Sequence, residues 1–123
     1  MNGQWCSSKV VASESWPGVE LVVARMSFGR RLELMKLVRS LAAKAEFFEA
    51  GESAQSRIEA GVLSAEIDRV YVSWGISEVR GLILDGHAAS VEQMIAEGPE
   101  DLFREALAAV KLECGLGEQE RKN

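Results

Sequence analysis

The residues able to do covalent chemistry are few and scattered. His87 is the only histidine among 123 residues, and Cys6 and Cys114 are the only thiols. A histidine general base needs a nucleophile and an orienting acid arranged around it, and nothing in the pattern near the Asp85-Gly86 turn supplies them. The paired carboxylates Glu66/Asp68 and Glu100/Asp101 fall at helix ends or on surfaces, where dipole complementarity and solubility account for them. No His/Cys/Asp/Glu spacing suits zinc, and no phosphate loop, dinucleotide fingerprint or calcium loop is present. The expectation is therefore no enzyme, no metal and no cofactor. What remains is the chemistry of contact. Arg30 and Arg31 at a helix start can grip an acidic surface through bidentate hydrogen bonds. Trp16, Phe28 and Trp74 are of the types that concentrate binding energy at interfaces. These five residues are the candidate partner-binding set; the competing reading is a solvated helix face for the arginines and a cover for a small sheet for the aromatics.

The chain that must position them carries a net charge of −5. Residues 1–44 hold seven Lys/Arg against three acids, and residues 45–123 hold seven against sixteen. Such polarity can orient a partner or favour head-to-tail self-association. The acidic total with dispersed basic residues argues against nucleic acid as the main ligand. No apolar run is long enough to span a membrane, the N-terminus lacks the apolar stretch of a secretory signal, and two distant thiols make no disulfide framework; the expected setting is a cytoplasm.

The elements read as follows. Residues 1–15 lack periodicity and are expected to form a loose arm. Trp16-Pro17-Gly18 is a turn that launches a strand at 19–25. Ser27 caps a helix over 28–50 whose apolar face is expected to be Phe28, Leu32, Met35, Val38, Ala42, Ala45 and Phe48, with Gly51 as its left-handed stop. A second helix over 53–68 presents Ile58, Val62, Ala65 and Ile67. The β-branched and aromatic run at 70–74 is expected to be a strand, with a helix continuing from Ile67 as the alternative. Gly75 to Glu78 is a loop, and 79–84 a strand closed by Asp85-Gly86. A capping box at Ser90–Gln93 starts a short helix to Glu97, and Pro99 opens the last one, over 99–114. The fold class is α+β, mostly helical, with a small antiparallel sheet of two or three strands covered by about four helices. One globular domain spans 16–117, followed by a charged tail at 118–123.

The order of these features resembles the phage and prophage tail assembly chaperones, small proteins encoded just before the tape measure protein. The points of likeness are Arg25-Met26-Ser27-Phe28-Gly29, Val72-Ser73-Trp74, the run from Gly81 to Gly86, Gly98-Pro99-Glu100-Asp101-Leu102, and the ending Glu118 to Asn123; together they cover about residues 19–123. The resemblance implies a non-enzymatic protein of the bacterial host cytoplasm, absent from the mature virion. It would bind the tape measure protein and recruit major tail tube protein subunits. The alternative is a virion structural part, such as a minor tail or head-tail connector protein, which would need a self-complementary ring surface and usually more β structure. A DNA-binding regulator reading with the Phe28 helix is disfavoured by the acidic total and by the absence of helix-turn-helix spacing.

Overall fold

A computed structural model describes residues 2–115. Element order is β1 (Ser8–Ala12), β2 (Glu20–Ala24), α1 (Phe28–Glu49), α2 (Ala54–Gly75), β3 (Ile76–Arg80), β4 (Ile83–Leu84), β5 (His87–Ala88), α3 (Val91–Glu97) and α4 (Glu100–Glu113). The first three strands form an antiparallel sheet in the order β1-β2-β3, and β4-β5 is a separate two-residue ladder. The α+β class, with four helices and a small antiparallel sheet, is as the sequence suggests.

Two long helices, 22 residues each, dominate the outline. At 1.5 Å per residue each runs about 33 Å. α1 starts on a side-chain cap, the Ser27 hydroxyl accepting the Arg30 amide at 3.2 Å, and α2 starts likewise from Ser53, whose hydroxyl accepts the Ser56 amide at 3.1 Å. They pack as an antiparallel hairpin with Ala45, Ala60 and Leu63 buried along it. At the hairpin's base one core gathers the inward face of the sheet (Leu21, Val23, Ile76, Val79) with Leu34, Val72, Met94, Leu102, Ala106 and Val110.

Four expectations are corrected. Residues 70–74 are helical. Val72 is fully buried, and the helical repeat continues through it to Trp74 because α2 must run as far as α1 to regain the sheet. Tertiary burial here overrides β-branched propensity. The strand that follows is therefore displaced: β3 occupies 76–80, taking in most of the expected loop at 75–78 and only the first two residues of the expected strand at 79–84, and Gly81 (φ +82°) ends it. The segment 1–15 is no loose arm throughout, since Ser8–Ala12 pairs with β2 in the register Ser8↔Ala24 to Ala12↔Glu20. Gly51 is not left-handed. It stands where a Cβ would come within 2.5 Å of the Ser56 hydroxyl, so close approach at the α1–α2 corner explains it.

The other boundaries follow their local chemistry. In the Ser90–Gln93 capping box the Ser90 hydroxyl accepts the Gln93 amide at 3.2 Å and the Gln93 side chain accepts the Ser90 amide at 2.9 Å. Pro99 occupies the cap position of α4, one residue before the helix begins, and Glu100 and Asp101 fill its first turn. The charged tail at 118–123 lies outside the described residues.

Candidate functional site

Four of the five candidate contact residues are engaged within the protein. The Trp16 indole donates to Asp101 Oδ1 at 2.8 Å, which pins the β1–β2 turn to the start of α4. Arg31 donates to the Cys114 carbonyl at 3.0 Å and so satisfies an end group of α4. Arg30 lies over the Trp74 ring, 4.4 Å from its centre, and donates to the Trp74 carbonyl at 3.3 Å. The Trp74 indole in turn donates to Glu33 Oε1 at 2.7 Å. These contacts join α1, α2 and α4 at the hairpin's base.

Phe28 is the exception. It is 84% exposed at the first turn of α1, and Leu32 (43%) and Met35 (58%) lie above it on the same face. At 100° per residue these three fall within one narrow stripe. Arg39 continues the line of the stripe one turn further on, and Lys36 lies to one side of it. The expected buried face of α1 is thus rotated. Leu34 and Ala45 are buried, Val38, Leu41 and Phe48 are half-buried, and Phe28, Leu32, Met35 and Ala42 face outward. The helix carries two apolar stripes, and Arg30, which contacts Trp74 one turn before the buried Leu34, lies on the inward one. α2 is corrected in the same way. Ala60, Leu63 and Val72 are buried, whereas Ile58 (64% exposed), Val62 (48%) and Ala65 face solvent.

A cleft of about 600 Å³ opens beside Trp74, where α1, α2 and α3 meet. Leu37, Leu41, Val70 and Trp74 form its apolar wall; Glu66, Arg69, Ser73 and Glu92 form its rim, with the Ser73 hydroxyl donating to Glu92 at 3.1 Å. Leu37 and Leu41 were absent from the candidate set. Their spacing of four was a visible signal, obscured by the competing stripe, whose Leu32 and Met35 stand five and two positions before Leu37.

Comparison with protein-family models, with curated proteins and with solved structures returns no match.

Two titratable groups are shifted upward chiefly by burial. Burial pushes the Cys114 thiol above its ordinary range, against an opposing pull from Arg31. Burial also raises the Tyr71 hydroxyl, with Cys114 and Asp68 adding to the effect. Among the described residues no three His, Cys, Asp or Glu side chains are grouped to hold a metal ion, and no helix is long and apolar enough to cross a membrane. His87 is exposed in β5. What the hairpin offers is an exposed apolar helix face with two cations beside it, a surface suited to another helix.

Proposed function

We propose that the protein is a non-enzymatic tail assembly chaperone that works in the cytoplasm of the bacterial host. It covers apolar helical segments of the tape measure protein and brings major tail tube subunits to them. The observation that carries the reading is the outward stripe of Phe28, Leu32 and Met35. An exposed apolar strip of this kind on a helix marks a surface for a partner, and the helix-in-groove mode uses this spacing of anchors. The resemblance read in the sequence supplies the partner. A long tape measure helix exposes many apolar strips in turn, so modest affinity at each site adds up through avidity and still permits release as the tube closes. Lys36 and Arg39 beside the stripe favour partner segments with acidic flanks.

Coexpression with the tape measure protein of the same genome tests this. The tape measure protein should stay soluble and copurify with the chain, and Phe28→Asp should abolish copurification. Mass spectrometry of purified particles should find the chain missing. Its stoichiometric presence there would establish the virion structural alternative instead.

A further inference from the structure

β1 is an outer strand of the sheet. Its inner edge is committed to β2: the Arg25 amide donates to the Ser7 carbonyl at 2.8 Å and the Ser13 amide to the Val19 carbonyl at 2.9 Å. In an antiparallel ladder, residues that bond inward alternate with residues whose amide and carbonyl point away. Residues 7 and 13 bond inward, hence so do Lys9 and Val11. The amide and carbonyl groups of Ser8, Val10 and Ala12 then point outward, and no turn, loop or cap bond among the described residues reaches them.

Exposed edges are normally guarded by charge, proline, a bulge or a covering element. Ser8, Val10 and Ala12 provide no such guard, and Val10 is 50% exposed. The strand's one cation, Lys9, is turned to the other side and bridges Glu113 at 3.0 Å. Beside the edge, between β1 and α4, runs a groove of about 340 Å³ lined by Val11, Ala108, Ala109 and Leu112. Leu112 is 64% exposed there.

We infer that this edge joins two copies of the chain. β1 pairs antiparallel with β1 of a second copy about a two-fold axis at Val10, and the two sheets become one of six strands. The strand suits this register. Ser8 meets the second copy's Ala12, and Lys9 meets its Val11, so the two ammonium groups never face each other. Lys9, Val11 and Ser13 share the helix-side face, and diagonal neighbours across a ladder lie ~7–8 Å apart. Lys9 is therefore diagonal both to the second copy's Ser13, whose hydroxyl is bonded to the Glu105 carboxylate, and to the second copy's Lys9, each ammonium being already paired with its own Glu113. The Glu105 and Glu113 carboxylates on this face offset the two ammonium groups, and the two-fold axis repeats the arrangement. The inference is independent of the chaperone reading, since α1 packs on α2 away from β1; if both hold, each dimer presents two Phe28 stripes.

Light scattering coupled to size-exclusion chromatography tests it with the full chain, Val10→Lys, and a chain ending at Gly115. The full chain should have twice the mass of Val10→Lys, which sets two ammonium groups against each other at the axis while its far-UV circular dichroism stays native. In a Cys6→Ser background, Val10→Cys should form an intermolecular disulfide on oxidation, because a hydrogen-bonded antiparallel pair holds its Cα atoms ~5.5 Å apart, within disulfide reach. A monomeric full chain, or a dimer that survives Val10→Lys without the disulfide in Val10→Cys, overturns the inference. So does a dimer seen only with the chain ending at Gly115, since residues 116–123 would then block the edge in the full chain.

Discussion

The guanidinium of Arg30 sits 4.4 Å from the centre of the Trp74 ring, and one of its nitrogens donates to the Trp74 carbonyl at 3.3 Å. Its Nε is buried without a hydrogen-bond partner. The face of the indole is thus what holds a partly desolvated cation in place, an arrangement worth about 0.5–2 kcal/mol according to exposure. Because Trp74 also donates to Glu33, the ring ties α2 to two consecutive turns of α1.

Removing that ring should loosen the whole hairpin. Trp74→Ala is expected to cost about 2–3 kcal/mol, below the usual range for a fully buried tryptophan because the ring is half-exposed. Arg30→Ala should cost about 1–2 kcal/mol, and the double variant less than the sum of the two. Urea denaturation of the four-member cycle measures this. Strict additivity would show that the stacked pair contributes nothing.

Two glycines of α2 should respond in opposite directions. A Cβ at Gly75 would lie 2.6 Å from both methyl groups of Val110, whereas a Cβ at Gly61 would meet nothing within 4 Å. Gly75→Ala is expected to destabilise by about 1–3 kcal/mol through overpacking. Gly61→Ala is expected to stabilise by about 0.5–1 kcal/mol, because helix propensity improves without a steric cost. Thermal unfolding of the two variants should bracket the parent.

Much of the architecture was legible where local chemistry is self-sufficient. Ser27 and Ser90 cap helices through their own hydroxyls, and Trp16-Pro17-Gly18 turns between strands with Gly18 at φ +91°. The misread parts depend on distant residues. Val70 to Trp74 is β-branched and aromatic, and only the need to match α1 in length makes it helical. Ser8–Ala12 is a strand because β2 lies beside it, and its Ser-rich surroundings hid the alternation. At the candidate site, residue type picked out side chains whose contacts inside the protein it could not foresee. Trp16, Arg30, Arg31 and Trp74 bind the protein to itself, and periodicity alone could not tell which of α1's two apolar stripes faces outward.

Acid should release the N-terminal strand first. Burial alone would raise the Glu105 carboxyl, but hydrogen bonds from the Ser13 hydroxyl and the Glu14 and Ser15 amides outweigh it and hold the group below its ordinary value. The Glu113 carboxyl is likewise lowered, chiefly by its hydrogen bond from Lys9 and against an opposing effect of burial. For a carboxylate lowered in the folded state, the stabilisation is present above the unfolded value of about 4.3 and is lost as pH falls through the folded value. Both groups tie β1 and its turn to α4. Amide exchange at Lys9 and Val11, corrected for its intrinsic pH dependence, should accelerate below about pH 4.3 before the α1–α2 hairpin opens. Glu105→Gln and Glu113→Gln together should flatten that dependence.

The two thiols should differ sharply in reactivity. Cys6 is exposed and Cys114 buried, and burial raises the Cys114 thiol further from the reactive thiolate form. Iodoacetamide at neutral pH should label Cys6 on the native protein and reach Cys114 only after denaturant is added. Equal labelling of both would mean that α4 opens readily beneath Arg31.

Phe28 separates folding from binding most cleanly. It follows the Ser27 cap directly, so its side chain stands at the first helical position, where an acid complements the helix dipole. With 84% of the residue exposed, Phe28→Asp removes almost no packing. Stability should therefore change by less than about 0.5 kcal/mol, and any change should favour the folded state. The same substitution deletes the largest apolar group of the outward stripe and places a negative charge where an acidic-flanked partner helix would lie. Partner capture should fall by at least tenfold while the urea midpoint holds. Loss of stability in step with loss of capture would mean that the ring is part of the protein's own core and that the stripe of Leu32 and Met35 is not a contact surface.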